Sequence, residues 1–303
     1  MRIGIIGAGT VGTALAVGLT RGGYQIAAVA SRNRSSATHL VKTALLAEET
    51  ICLSLQEVAD NAEFIFITTP DDAIAVVVDE INWHPGQYVV HCSGADSLDV
   101  LEPARKLGAK VGSFHPLQTF ASISNAVENL PGSTFALEAE GELLEILKEM
   151  ALALRGRWII LRSGDKAAYH TAAVMASNYL VTLVKMSANL WDSFGMPHDQ
   201  AIHALLPLLK GTIYNIEKLG IPAALTGPIS RGDIGTIRIH LNTLKTQAPE
   251  TVLAYCEMGL QTIPIALEKG TINGRHAREL EKLLRQTIQS GVEGQEYAYI
   301  VKK

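Results

Sequence analysis

Cysteine, surplus charge and long apolar runs are all scarce in this chain of 303 residues, and each scarcity removes a class of protein. The three cysteines, Cys52, Cys92 and Cys256, are widely spaced, odd in number and without a Cys-x-x-Cys pair. They indicate neither a disulfide framework nor a zinc cluster, and a reducing cytoplasm suits them. No His-x-x-x-His or Glu-x-x-His pair sets ligand geometry on a helix, so no metal is expected. A formal net charge of −4 leaves no basic footprint for nucleic acid and no polybasic membrane patch, which points to a small-molecule partner. The most apolar stretch, Ala172 to Val184, contains Ser177 and Asn178 and falls short of a membrane span. Arg2, an apolar stretch and Ala28-Val29-Ala30 superficially resemble a secretory leader, but Gly4, Gly7, Gly9, Thr10, Gly12 and Thr13 interrupt its core. One more absence matters most: no acidic residue occurs before Glu48.

What the N-terminus does hold is an apolar run, Ile3 to Ile6, passing directly into Gly7-x-Gly9-x-x-Gly12. This pattern predicts a buried strand, a tight turn and a helix start. Gly7 allows the turn, Gly9 lets backbone approach a pyrophosphate without a Cβ in the way, and Gly12 lets the helix pack on the strand. The free N–H groups of that helix start, at Thr10 and Val11, then face phosphate. A second strand, Gln25 to Ala30, ends in Ser31-Arg32-Asn33-Arg34-Ser35-Ser36, where an NAD site usually carries an acid for the ribose hydroxyls. Cations and hydroxyls there favour NADP. Arg32 is read against the adenine and Arg34 with Ser31 on the 2′-phosphate, because a guanidinium suits both stacking and bidentate bonding.

The chain is long enough for two domains, and its pattern changes once. Over residues 1–163 short apolar strands alternate with helix-like segments, the pattern of an α/β Rossmann domain with a mostly parallel, doubly wound sheet. Strands are predicted at Arg2 to Ile6, Gln25 to Ala30, Phe64 to Ile67, Tyr88 to His91, Lys110 to Ser113, Ser133 to Leu137 and Trp158 to Leu161. The loops after the third, fourth and fifth, starting at Thr68-Thr69-Pro70, Cys92-Ser93-Gly94 and Phe114-His115-Pro116, should line one crevice at the carboxyl ends of the strands. Thr69, Pro70, Ser93 and Gly94 join the glycine turn and Ser31, Arg32 and Arg34 as cofactor-binding candidates.

Residues 164–303 read as an all-α substrate and dimerisation domain. Asp165 can cap one helix from Lys166 to about Phe194, roughly 43 Å at 1.5 Å per residue, stopped by Gly195 and Pro197. Further helices are expected at about 198–217, 233–247, 249–268 and 274–290, with a loose tail from Glu296 in which Tyr297, Tyr299 and Ile300 could dock. At about 100° per residue, Lys166, His170 and Ser177 share one helix face, with Asn178 some 80° further round. An amine, an imidazole and a hydroxyl among small apolar residues are costly to bury without partners, which suggests a cleft; exposed first turns and backbone-bonded Ser177 and Asn178 are the plainer alternative. His91 and His115 end neighbouring strands and are either proton donors or turn-fixing residues. The loop Thr226-Gly227-Pro228-Ile229-Ser230-Arg231-Gly232-Asp233 offers Arg231 as a fork for a carboxylate, or as an ion-pair partner of Asp233.

These motifs, with His91-Cys92-Ser93-Gly94, His115-Pro116-Leu117-Gln118 and Asp165-Lys166-x-x-Tyr169-His170 followed by Ser177-Asn178-Tyr179, resemble bacterial Rossmann-like proteins with a C-terminal domain of unknown function. That group is similar in architecture to pyrroline-5-carboxylate reductase, 3-hydroxyisobutyrate dehydrogenase, ketopantoate reductase and deazaflavin-dependent NADP oxidoreductases. The resemblance implies a pyridine-nucleotide enzyme with a helical dimerisation domain. Hydroxyacid dehydrogenases place Asn three or four residues after their catalytic Lys; here Lys166 is followed by Tyr169 and His170, and Asn178 comes much later.

The expectation is an NADP-dependent oxidoreductase moving a hydride between nicotinamide and a small carbonyl or imine. His170 is read as general acid, Lys166 as electrostatic stabiliser, Ser93 and Asn178 as positioning groups, and Arg231 as a carboxylate contact, in a homodimer. A non-catalytic NADP sensor and a reductase of a flavin or deazaflavin remain as alternatives.

Overall fold

The computed structural model describes the backbone of residues 1–301 and the side chains of residues 1–290. It divides into two compact units, Met1–Asn178 and Tyr179–Lys303. The sequence-based boundary at 163/164 lies 15 residues earlier, because the helix opening at Lys166 sends that side chain back among the strand ends of the first unit.

The first unit runs β1 (Arg2–Ile6), α1 (Thr10–Arg21), β2 (Gln25–Ala30), α2 (Arg34–Thr43), α3 (Leu55–Asn61), β3 (Phe64–Ile67), α4 (Asp71–Asp79), β4 (Tyr88–His91), α5 (Glu102–Lys106), β5 (Lys110–Leu117), α6 (Ile123–Asn129), β6 (Thr134–Glu138), α7 (Gly141–Ala153), β7 (Arg157–Ile160) and α8 (Lys166–Ala173). Its seven strands form one sheet in the order β2-β1-β3-β4-β5-β6-β7. Every neighbouring pair is parallel except β5 with β6. From β1 the chain goes to β2 on one side and later to β3 on the other, which makes the carboxyl ends of β1 and β3 the switch point of the sheet.

Alternation along the strands shows why both faces are covered. Phe64 and Phe66 enter one core with Ile5, Leu15, Phe114, Phe135 and Leu147. Their neighbours Ile65 and Ile67 enter the other with Val58, Ile74, Val89 and Leu101. A period of two residues thus feeds two helical layers. The rings of Phe66 and Phe114 lie 5.7 Å apart and those of Phe114 and Phe135 4.6 Å, tying β3, β5 and β6 together. Each such buried side chain contributes about 1.5–3 kcal/mol.

Two expectations for this unit need correcting. Phe114 to Leu117 are not a loop: they extend β5 and pair with Leu137 to Thr134 of antiparallel β6. Beyond Ser113 the strand has no β4 partner, so Pro116, lacking an N–H, sits where only one neighbour must be satisfied. The single helix predicted from Lys166 to Phe194 is broken into α8, a π turn at Val174–Asn178, a second helix α9 (Tyr179–Asn189) and a 3₁₀ turn at Leu190–Phe194. Thr171 Oγ1 donates to Ala167 O just before the wide turn, a side-chain bond that competes with the backbone ladder. The wide turn also breaks the 100° step, so the helix face computed for Ser177 and Asn178 does not hold.

In the second unit α9 is followed by α10 (His198–Leu219), α11 (Ile234–Gln247), α12 (Val252–Lys269) and α13 (Gly274–Val301). Ile237 and Leu241 of α11, Cys256 and Ile263 of α12, and Leu280 and Leu284 of α13 form its core. α10 by contrast exposes Leu206, Leu208, Ile213, Tyr214, Ile216 and Leu219. The helix expected to end near residue 290 continues in backbone to Val301, replacing the predicted tail. The suggested docking of Tyr297, Tyr299 and Ile300 lies outside the described side chains.

Candidate active site at the strand ends

At the switch point the glycine turn is held by β3. Thr68 Oγ1 donates to Gly7 O at 2.6 Å, and Gly7, at φ +109°, would drive a Cβ into the Thr68 backbone at 2.7 Å. A Cβ on Gly12 would collide with Gly7 O, whereas one on Gly9 would meet nothing within 4 Å. So Gly7 and Gly12 are glycine for packing, and Gly9 leaves open space before α1. No side chain caps α1 and no acid stands in its first turn, so the amides of that turn face the open space. Thr69 Oγ1 is buried without a hydrogen-bond partner beside this turn, and Pro70 opens α4. An open cradle, free amides and an orphaned hydroxyl fit a pyrophosphate.

At the end of β2, Asn33 caps α2 by accepting from Ser35 N at 2.9 Å. Ser31 is half-buried, while Arg32 and Arg34 are exposed, and neither arginine forms an ion pair among the described residues.

A second cluster occupies the ends of β4, β5 and β6. Register sets His91 beside Ser113 and Ser113 beside Glu138, so the three form one row. Lys166, only 4% exposed, donates from Nζ to Ser113 Oγ at 2.7 Å and to Ser93 O at 2.9 Å. Burial lowers the Lys166 amine to about 8, opposed by the negative charge of Glu138, and burial raises the Glu138 carboxyl. Ser93 N donates to His91 Nδ1 at 3.1 Å, which puts the ring proton of His91 on Nε2. Burial, then the charges of Lys166 and His115, push His91 down to about 3. His91 is therefore a neutral, buried support at ordinary pH. Ser93 Oγ accepts from Ala95 N and Asp96 N and closes the turn after β4. Cys92 beside it is a buried thiol whose ionisation burial opposes, leaving it inert as a nucleophile.

His115 and Tyr169, 54 residues apart, meet at 2.7 Å between Nδ1 and Oη. Burial, then Lys166 and His170, lower His115 to about 4, and burial raises Tyr169 to about 12. The rings of His115 and His170 lie edge to face with centroids 6.3 Å apart. His170 Nδ1 is buried and unpartnered. Both rings approach Gly94, which is itself buried.

Of the residues singled out from sequence, the structure thus gathers Ser93, Gly94, His91, His115, Lys166 and His170. Asn178 is exposed and forms no side-chain hydrogen bond among the described residues. Arg231 lies exposed in the second unit, on a 3₁₀ turn at Ile229–Arg231 between Gly227 and Gly232, both at positive φ. Asp233 is not its ion-pair partner, because that carboxylate caps α11 through Thr236 N and Oγ1. Sequence reasoning missed Ser113, Glu138 and the role of Tyr169. Period-two spacing puts Ser113 on the same face of β5 as His115, a readable sign; the pairing of β5 with β6 was not readable.

A glycine turn at the switch point of a mostly parallel sheet defines a Rossmann-type nucleotide-binding unit. Residues 1–116 match the model of a Rossmann-like domain and residues 133–262 that of DUF2520, a domain of unknown function, so the chain is a Rossmann-like protein carrying a DUF2520 domain. None of the curated proteins compared with it matches. A candidate NADP oxidoreductase from Bacteroides fragilis is 27% identical, with 87% of this chain and 98% of that chain covered and a TM-score of 0.68. The 1-pyrroline-5-carboxylate reductase of Streptococcus pyogenes is 16% identical over 89% of this chain and 98% of that one, with a TM-score of 0.62. A reductive aminase from Aspergillus terreus, solved with NADPH and ethyl-5-oxohexanoate, is 15% identical over 96% of this chain and 94% of that one, with a TM-score of 0.60. The last two share the fold.

Proposed function

We propose that this chain is an NADP-dependent oxidoreductase acting on a small carbonyl or imine that carries a carboxylate. The observation behind it is one sheet edge that joins an open, amide-lined glycine turn and arginines without ion-pair partners among the described residues to a half-buried His115–Tyr169–His170 group. The Bacteroides fragilis relative supports the choice of cofactor. Gly7, Gly9, Thr10, Val11, Gly12, Thr69, Pro70, Ser93 and Gly94 would hold NADP along its length, with Ser31, Arg32 and Arg34 at the 2′-phosphate. Bound there, the nicotinamide supplies or accepts a hydride. His170 exchanges the proton through Nδ1, since imidazole is the side chain suited to proton transfer near neutral pH. Lys166 adds a nearby positive charge and, through its bonds to Ser93 O and Ser113 Oγ, fixes the turn on which the reactants rest.

The reading extends to a cytoplasmic homodimer built through the helical unit, whose α10 face is apolar and exposed and whose Arg231 has no ion-pair partner among the described residues. A second copy would cover the same patch on both subunits, and Arg231 of one would hold the substrate carboxylate of the other. Asn178 would orient the substrate.

NADPH oxidation over a panel of 2-keto acids, cyclic imines and 3-oxo acids tests the reaction. Binding without consumption would make the chain a sensor, and consumption only with an added flavin or deazaflavin would make it a cofactor reductase. Mixing inactive His170→Ala with inactive Arg231→Ala subunits tests the shared site: with random exchange, about a quarter of wild-type turnover returns. Mixed dimers without recovered turnover, or a monomer by light scattering, defeat that arrangement.

A further inference from the structure

At the far end of α1 from the glycine turn lies a cavity of about 170 Å³, whose lining includes Val17, Gly18, Arg21, Leu130, Leu154 and Arg155. Gly18 stands roughly 14 Å along the helix axis from Gly9 at 1.5 Å per residue, so the cavity is separate from the amides offered to a pyrophosphate. Its floor is apolar. A Cβ on Gly18 would collide with Leu154, which shows α1 pressed against the end of α7, and Val17, Leu130 and Leu154 are all buried. An engineered apolar cavity of about 150 Å³ takes up benzene, so a single ring or a short branched chain fits this volume.

The rim is cationic. Arg21 and Arg155 line it, and none of its lining residues is acidic. Neither arginine forms an ion pair or donates a side-chain hydrogen bond among the described residues. The helix-end carbonyls nearby do not occupy them either: Gly18 O accepts from Gly22 N, Thr20 O from Gly23 N, Ala151 O from Gly156 N and Leu152 O from Arg155 N. Arg155 stands at φ +57° just past α7, a position that glycine commonly fills. Leu45 ends α2 in the same conformation and is exposed, so such a turn does not itself ask for a cation.

We infer that this cavity binds a small carboxylate with a compact apolar body, at a site distinct from the one that would hold NADP. Each part of the ligand answers one part of the lining. A guanidinium fork gives two parallel N–H bonds to a carboxylate, and the apolar body rests on Val17, Leu130 and Leu154. Phosphate would find the charge and have no use for the floor; an uncharged ring would cover the floor and gain nothing from the forks.

Benzoate is the probe, added to the full chain and followed by calorimetry and by amide ¹H–¹⁵N shifts. Saturable binding is expected with a Kd of about 1 mM or tighter, and with benzyl alcohol and phosphate each at least about tenfold weaker. The largest shifts should fall at Gly18 and at Gly132, whose N–H bonds to Arg155 O. Arg21→Gln and Arg155→Gly should each weaken benzoate by about tenfold or more. Arg155→Gly separates binding from folding, because glycine adopts φ +57° without strain and the unfolding midpoint should hold or rise. Wild-type affinity in either folded variant would overturn the inference. So would displacement of benzoate by NADPH, benzyl alcohol or phosphate binding as tightly as benzoate, or no saturable binding up to about 10 mM.

Discussion

The two ends of the sheet edge handle polar groups in opposite ways. Around β4, β5 and β6 they are bonded to one another in buried or half-buried positions: Lys166 to Ser93 and Ser113, His91 to Ser93, His115 to Tyr169. Around β1, β2 and β3 they are exposed or open, with Arg32 and Arg34 free of ion pairs among the described residues and Gly9 facing empty space. Buried groups shift their ionisation and stiffen each other; exposed ones keep their charge available for a ligand. Changes at the first cluster should therefore affect chemistry and stability together, while changes at the second should affect binding alone.

The largest expected departure from that pattern is His170→Ala. Its Nδ1 is buried and has no hydrogen-bond partner among the described residues, so its removal leaves no partner stranded. Turnover should fall about 10²-fold to 10⁴-fold with little change in NADPH affinity or unfolding midpoint. Full activity in this variant would hand the proton to water or to His115.

Acid should next separate the clusters. His91 and His115 fall to about 3 and about 4, below the ordinary histidine value near 6.5 that an unfolded chain shows. Between those values the unfolded chain binds a proton that the folded one does not, so stability drops as pH falls below about 6.5. Each group contributes up to about 1.4 kcal/mol per pH unit. His91→Asn keeps an acceptor for Ser93 N and does not titrate. From pH 6.5 to 5 it should lose about 2 kcal/mol less than wild type in urea unfolding; parallel curves would contradict a neutral, buried His91.

Much of this was written in the sequence, and the limits are physical. The seven strands were legible because Ile3 to Ile6, Phe64 to Ile67 and their counterparts are short apolar runs bounded by turn residues, and the mostly parallel character of the sheet followed from their alternation with helices. The extension of β5 through Pro116 was not, because antiparallel β6 is a distant partner and proline reads locally as a stop. Lys166, His170, Ser93 and Gly94 stood out by motif, yet the burial of Lys166 and the use of Ser93 Oγ in its own turn depend on strand packing. The π turn at Val174–Asn178 defeats any reading that assumes a constant 100° step. His115 and Tyr169 each were visible, but a bond across 54 residues belongs to the fold.

Lys166→Met sharpens the contrast within the buried cluster. Losing the amine leaves Ser113 Oγ and Ser93 O without their donor, at a cost of about 1–3 kcal/mol. The substitution also removes a charge that burial disfavours, which moderates the loss most at neutral pH and least above about 8, where the wild-type amine is already neutral. Destabilisation should therefore grow as pH rises through that value, measured by urea unfolding; a variant more stable than wild type at every pH would mean the two bonds count for little.

The smallest effect belongs to the open cluster and should touch binding only. Arg34 opens α2, a helix capped by Asn33 and without acid in its first turn, and it has no ion-pair partner among the described residues. A 2′-phosphate would meet a guanidinium that gives up no other ion pair to receive it. Wild type should prefer NADPH over NADH at least tenfold, about 1.4 kcal/mol, a margin that one charge-assisted contact supplies. Arg34→Ala should bring the two affinities together by weakening NADPH while leaving NADH and the unfolding midpoint in place. Salt should erode the wild-type preference, because exposed charges are screened within about 10 Å at 0.1 M. Arg32→Ala should behave differently: a guanidinium lying against the adenine serves both cofactors, so both affinities fall and their ratio holds. Equal NADPH and NADH affinities in a titration of the wild type would sink the assignment of the whole Ser31 to Ser36 stretch to a 2′-phosphate.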